Sequence, residues 1–255
     1  MPSDGTDPKA ESCSGVRAVL TSFLLLAALA VAPLAAAAPL ATGAAPPAEP
    51  VPALPRPGAT LLMENDRGSV WDVINPPGVP TAMHRHGADF VGIELVASRL
   101  KITTPDGKVE VEDVAHGDMY MLPKGLTHIE EGVAGYPRRT AILIELKDAP
   151  SPAYANSTPL PPGFPAEDAR QAVDNARVTL WDVSWTPGVP AEPFFQSRDI
   201  FLVPIDPGVL VISSQGEPER TVPVAGGQVI FLPGGKARVI GSKSGVVRAA
   251  VIELK

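Results

Sequence analysis

The chain has four histidines in 255 residues, and two of them, His84 and His86, stand one residue apart in "MHRHGADF". Positions i and i+2 of a strand share a face and lie about 7 Å apart along it. Two imidazoles so placed meet one metal ion if a third ligand arrives from a neighbouring strand; without one they are polar residues on an exposed strand. The third candidate is His128, in "GDMYMLPKGLTH". Gly117 can turn the chain into a strand there, and Pro123 with Gly125 makes the sharp turn that presents His128. The remaining histidine, His116, precedes Gly117 on a turn and reads as solvated rather than ligating.

The elements that must position these residues come in duplicate. "ENDRGSVWDVINPPGVP", from Glu64 to Pro80, recurs as "DNARVTLWDVSWTPGVP" from Asp174 to Pro190, an offset of 110. The register holds through "GDMYMLPKG" and "GQVIFLPGG", after which the second copy drops two residues. Two homologous units follow, residues 60–147 and 170–255, with a Pro-rich connector at 148–169. Short β-patterned runs such as "SVWDVI", "DFVGIELVA", "KVEVEDV" and "TAILIEL" alternate with "PPG", "PDGK", "HGD" and "PKG", which predicts an antiparallel barrel or sandwich in each unit. Only "AEDARQAVDNAR", after Pro165 and with acids in its first turn, suits a short helix. Trp71 and Trp181 match and read as a structural tryptophan of each unit, whereas Trp185 faces Asn75 in the alignment.

With both stretches and the repeat in view, the units resemble cupins. The family's first motif, G-x5-H-x-H followed after three or four residues by Glu, fits Gly78, His84 and His86; the second, G-x5-P-x-G-x2-H, fits Gly117, Pro123, Gly125 and His128 without a gap. The resemblance implies an all-β protein of two tandem double-stranded β-helix, or jelly-roll, barrels: a bicupin whose first copy holds one metal through His84, His86 and His128. The acidic ligand is where the match fails, since Phe90 and Val91 stand at its positions. Asp89, one residue early, is an optional fourth ligand; its counterpart Asp199 persists in the copy without histidines, which suits a turn or salt bridge at least as well. Glu94 alternates with Val91, Ile93 and Leu95 and takes the outer face if those three point inward. Glu130 and Glu131 follow His128 either as acceptors for a ligand imidazole or, more commonly, as exposed loop charges.

The second copy serves as an internal control. It carries Phe194, Gln196 and Arg238 at the three histidine positions, while Gly188, Gly227, Pro233 and Gly235 remain. The same barrel is therefore built without imidazoles, which makes the first copy the metal site and the second a scaffold or a modified pocket. Phe194 and Phe195 make that pocket apolar, and Arg238 either lends it an anion-binding group or pairs with a local carboxylate.

Three neutral imidazoles with an open position suit one divalent transition metal, Fe, Zn, Mn, Ni or Cu. They leave its charge uncompensated, which favours an anionic small-molecule ligand. The formal charge of −7 and a pI near 5.1 offer no basic stripe and argue against nucleic acid; a homo-oligomer stays open. The apolar run "AVLTSFLLLAALAVA", Pro33 and a small-residue stretch read as a secretory signal within 1–44, cleaved between Ala37 and Ala44, hence a periplasmic or secreted protein. An uncleaved anchor over Ala18 to Ala38 is the alternative and the sole membrane contact. Asp4, Asp7 and Glu11 outnumber Lys9 ahead of that run, which fits a true start at Val16. Residues 45–59 read as a Pro/Ala-rich extended tether. The single Cys13 precedes the run, so the exported chain has no disulfide and rests on packing. The expected function is an exported metal-dependent enzyme, dioxygenase-like, acting on a small organic acid; the alternative is a non-catalytic cupin that binds a small ligand or metal. Fold alone does not choose.

Overall fold

The computed structural model describes residues 49–149, 152, 154–164 and 169–255. The expected leader, 1–44, lies outside them. Regular structure among the described residues is all β. The first copy contributes β1 (Val51–Pro52), β2 (Ala59–Glu64), β3 (Gly68–Asn75), β4 (His84–Arg85), β5 (Phe90–Glu94), β6 (Ser98–Thr103), β7 (Val109–Val114), β8 (Met119–Leu122), β9 (Thr127–Gly132) and β10 (Arg139–Leu146). The second contributes β11 (Ala169–Asp174), β12 (Val178–Trp185), β13 (Phe194–Gln196), β14 (Ile200–Pro204), β15 (Gly208–Ser214), β16 (Arg220–Val224), β17 (Ile230–Leu232), β18 (Lys236–Ser244) and β19 (Val247–Leu254).

Each copy is a pair of sheets. Orders β2-β3-β10-β5-β8 and β1-β4-β9-β6-β7 in the first correspond to β11-β12-β19-β14-β17 and β13-β18-β15-β16 in the second. Gly78, Gly117 and Gly125, with their counterparts Gly188, Gly227 and Gly235, all have φ between 72° and 89°. Side chains avoid that left-handed region, which is why these glycines stand in both copies.

Alternation along β5 and β10 is as expected, but the faces are reversed. Val91, Ile93, Ile142 and Ile144 meet Leu180, Phe201, Val203 and Ile252 of the second copy in a core shared between the two five-stranded sheets. Glu94, expected outside, therefore points into the first barrel, 1% exposed. A sheet with both faces buried gives no sequence signal for which face is which.

Two further expectations change. Residues 51–56 are part of the first barrel rather than a tether: β1 lies parallel to β4 with Val51 opposite His84, and the buried Ala53 donates its N–H to the Arg85 carbonyl at 3.0 Å. Proline tolerates an edge strand, so linker composition hides one here. Within the connector, Pro162 bridges Phe195 in parallel and Phe164 packs edge-on against Phe194 at 5.5 Å. The expected helix is also absent over Ala169–Asp174, which is β11, antiparallel to β12. There Ala172 and Val173 cover the shared core, a tertiary gain that overrides helix propensity.

Candidate metal centre

β4 presents His84, the chain continues to His86, and β9 brings His128 directly opposite His84. All three are at most 3% exposed. One ring nitrogen from each lies within 4.8 Å of the others, and the Nε2 atoms of His86 and His128 are 3.3 Å apart. His84 Nδ1–H donates to the Ala82 carbonyl at 3.0 Å, which sets the tautomer and leaves the Nε2 lone pair for the cluster. Burial, then the neighbouring imidazoles, push His86 down to about 3. Burial dominates at His128 too, pushed down to about 4 although Glu130 opposes it, and it lowers His84. A transition metal binds neutral imidazole, so the donor set fits a divalent ion. An open cleft of about 340 Å³ reaches His86 and Phe90 past β1, with Arg85 and Lys124 among its lining residues.

Asp89 is not brought into this group. Its carboxylate accepts the Lys124 N–H at 2.8 Å and lies 3.7 Å from Arg177 Nε. Asp199 does the same in the second copy, accepting the Gly234 N–H at 2.9 Å and lying 3.3 Å from Arg67 Nε. Both aspartates thus cap a turn of their own barrel and clasp an arginine of the other. Phe90, at a position where the family pattern has Glu, sets its ring edge-on to His86 at 4.8 Å. His116 is no ligand: its two nitrogens donate to the Leu95 carbonyl at 2.8 Å and to Asp206 at 2.9 Å.

Beneath the imidazoles lies a buried ionic network that the sequence reading missed. Glu130, expected among loop charges, is 3% exposed on β9. One of its oxygens pairs with Arg56; the other accepts from Arg139 at 3.1 Å and lies 3.9 Å from His128 Nε2. Burial pushes the Glu130 carboxyl up, but Arg139 and Arg56 outweigh it and hold it below the usual carboxylate range. Arg139 continues to Glu94 at 2.6 and 2.9 Å and to Asn75 at 3.3 Å. Tyr120 also receives an Arg139 N–H and donates its own O–H to Glu94 at 2.7 Å. Gly92 makes room for that ring: a Cβ there would stand 2.2 Å from it. The i, i+2 spacing of His128 and Glu130 already carried the signal, since a strand puts both on one face.

Arg56 touches the centre itself. Its Nη1–H donates to His84 Nε2 at 3.1 Å. A guanidinium only donates, so it takes the lone pair through which His84 would ligate a metal.

No family model matches the sequence, and no curated protein does. Solved structures do match. A cupin domain from Bordetella pertussis Tohama I is 30% identical over 37% of this chain and 98% of its own, with a TM-score of 0.33. AerE from Microcystis aeruginosa is 15% identical over 81% of this chain and 98% of its own, with a TM-score of 0.58. Bacillus subtilis oxalate decarboxylase, described with Mn(II) centres, is 12% identical over 74% of this chain and 69% of its own, with a TM-score of 0.53.

Proposed function

From the premise that the chain belongs to the cupin superfamily, as a member with two tandem barrels, we propose that it is an exported mononuclear-metal bicupin. Its first barrel acts on a small organic acid, with dioxygenase-like chemistry. The observation that carries this is the meeting of three neutral imidazoles with the Arg56 guanidinium at His84 Nε2.

Neutral ligands leave a divalent ion's charge uncompensated, so an anion completes the site. The bound metal would supply Lewis acidity and, as iron, oxygen activation. Everything else falls to the chain. His84, His86 and His128 hold the ion. Arg56, displaced from His84, offers a two-pronged fork that matches a carboxylate. Glu130 carries no proton, and its pair with Arg139 stays in place when Arg56 turns to the bound carboxylate. Tyr120 keeps its proton, because burial first and foremost raises its phenol well above the ordinary value, and so continues to hold Glu94. The oxalate decarboxylase among the similar structures supports the substrate class; at 12% identity it carries no reaction over to this chain.

Elemental analysis of purified protein, with and without His86→Ala, tests the centre. One equivalent of a transition metal in the parent, lost in the variant, is expected; absence of metal after reconstitution overturns the proposal. Oxygen uptake with iron-loaded protein and a panel of small carboxylic acids tests the chemistry. Saturable acid binding without turnover would assign a binding role instead. Mass spectrometry of the exported protein should find an N-terminus between residues 38 and 45, following the expected cleavage.

A further inference from the structure

The second barrel buries an arginine that makes no direct ion pair. Arg238 lies on β18 opposite Phe194, the register position that His128 holds opposite His84. It is 2% exposed. Burying a guanidinium is costly unless it is paired with an anion, yet among the described residues Arg238 makes no ion pair. One terminal nitrogen donates to Ser214 Oγ, the other to the Pro233 carbonyl at 2.7 Å, and the buried Nε–H meets no acceptor.

Arg238 lines a cleft of about 400 Å³ where the edge strands β16 and β17 part. Exposed Arg220 stands on the same cleft, and Phe231, Leu232 and Pro233 give it an apolar wall. Glu217, the one carboxylate in the lining, is paired with Lys236 and attracts Arg238 only from beyond ion-pair distance. Gln196, in place of His86, spends its amide nitrogen on the carbonyls of Arg198 and Leu232 at 2.8 and 2.6 Å, so the metal-ligand set has no equivalent here.

We propose that this cleft binds a small organic carboxylate with an apolar body, its charge held by Arg238 and Arg220 and its body laid against Phe231 and Leu232. The site is independent of the metal in the first barrel. The two Arg238 Nη–H groups left over by Ser214 and Pro233 match the two oxygens a carboxylate brings.

Calorimetric titration of the chelator-treated full-length protein with benzoate tests this, with benzamide as the uncharged isostere. Benzoate should bind at one equivalent, and benzamide at least about tenfold more weakly, the worth of a charge-assisted hydrogen bond. Arg238→Gln should abolish the benzoate signal. Arg220→Gln, an exposed change that leaves the core untouched, should weaken it severalfold. Equal binding of the two ligands overturns the proposal, as does benzoate binding unmoved by Arg220→Gln or the absence of a benzoate signal at saturating concentration.

Discussion

Replacing Arg56 with methionine is expected to strengthen metal binding, although the residue touches the centre. Arg56 donates to His84 Nε2 at 3.1 Å, and one lone pair cannot serve both a guanidinium and a metal. Each metal-binding event in the parent protein therefore breaks a hydrogen bond from a charged donor, worth about 1.5–3 kcal/mol. At about 1.4 kcal/mol per tenfold, its removal strengthens affinity by roughly tenfold to a hundredfold. Loss of a nearby positive charge acts in the same direction. The opposing effect is small: Arg56 helps keep the imidazoles unprotonated, but His86 and His128 sit near about 3 and about 4, far below an assay pH of 7.5. Competition for Zn²⁺ against a chromophoric chelator measures the change, with the exposed Arg85→Met, next to His84 on β4, as control. In the acid-turnover assay the same variant should show a raised KM, because the carboxylate fork is gone. Unchanged or weakened zinc affinity in Arg56→Met would refute the competition between guanidinium and metal.

Other perturbations separate structural from ligating roles. Arg139→Leu strands Glu94 and Glu130 without their shared partner at 1% and 3% exposure, so urea denaturation should show a loss of about 3–5 kcal/mol; a loss below about 1 kcal/mol would mean the network is wet. Asp89→Ala should retain one equivalent of metal, and metal loss would make Asp89 a ligand after all. Asp199→Ala should destabilise more than Asp89→Ala, since its side chain is 4% rather than 28% exposed and also accepts from Tyr154. His116 is raised above 6.5, first by its hydrogen bond to Asp206 and then by that to the Leu95 carbonyl, against the opposing effects of burial and Arg248. The folded state thus binds more protons than the unfolded one just above pH 6.5, so this stabilisation is full below that pH and lost as pH rises through the raised value. Melting curves from pH 6 to 8.5 should show a shallow decline that His116→Gln removes; the ring is 42% exposed, and solvent screening keeps the effect small.

Much of the centre was legible because it is written in short-range spacing. His84 and His86 share a face by strand periodicity, and the glycines at positive φ mark turns that only glycine adopts easily. What escaped depends on long-range placement. Glu94 shows the expected alternation, yet its direction hangs on a second barrel covering the other face of β5. Arg56 comes from a stretch whose prolines spell a linker, and only the parallel pairing of Val51 with His84 brings it to the site. Asp89 looked like a displaced ligand because sequence distance cannot tell a side chain aimed at the cluster from one aimed at the Lys124 amide.

The two copies also divide the work of stability and chemistry. At matched register positions, Asn75 and Arg139 of the first barrel face each other where Trp185 and Val247 do in the second. Gly92 and Tyr120 correspond to Leu202 and Ile230, and Ile102 and Glu130 to Ile212 and Ile240. Asn75, Tyr120, Glu130 and Arg139 of the first network are thus exchanged for apolar residues on the same backbone. The consequence is visible in the cores: among the described residues, three buried ones, Val73, Phe90 and Leu143, form the first barrel's own apolar cluster, against thirteen in the second. Buried ionic networks add little net stability compared with apolar packing, so the first barrel gives up hydrophobic stabilisation to keep its charges. It recovers that stabilisation on its outer face, where Val70, Val91, Ile93, Ile142 and Ile144 pack against the second barrel. Severed from its partner, the first barrel would expose that face and retain only the small interior cluster, so the histidine-free copy is what allows the metal-binding copy an ionic interior.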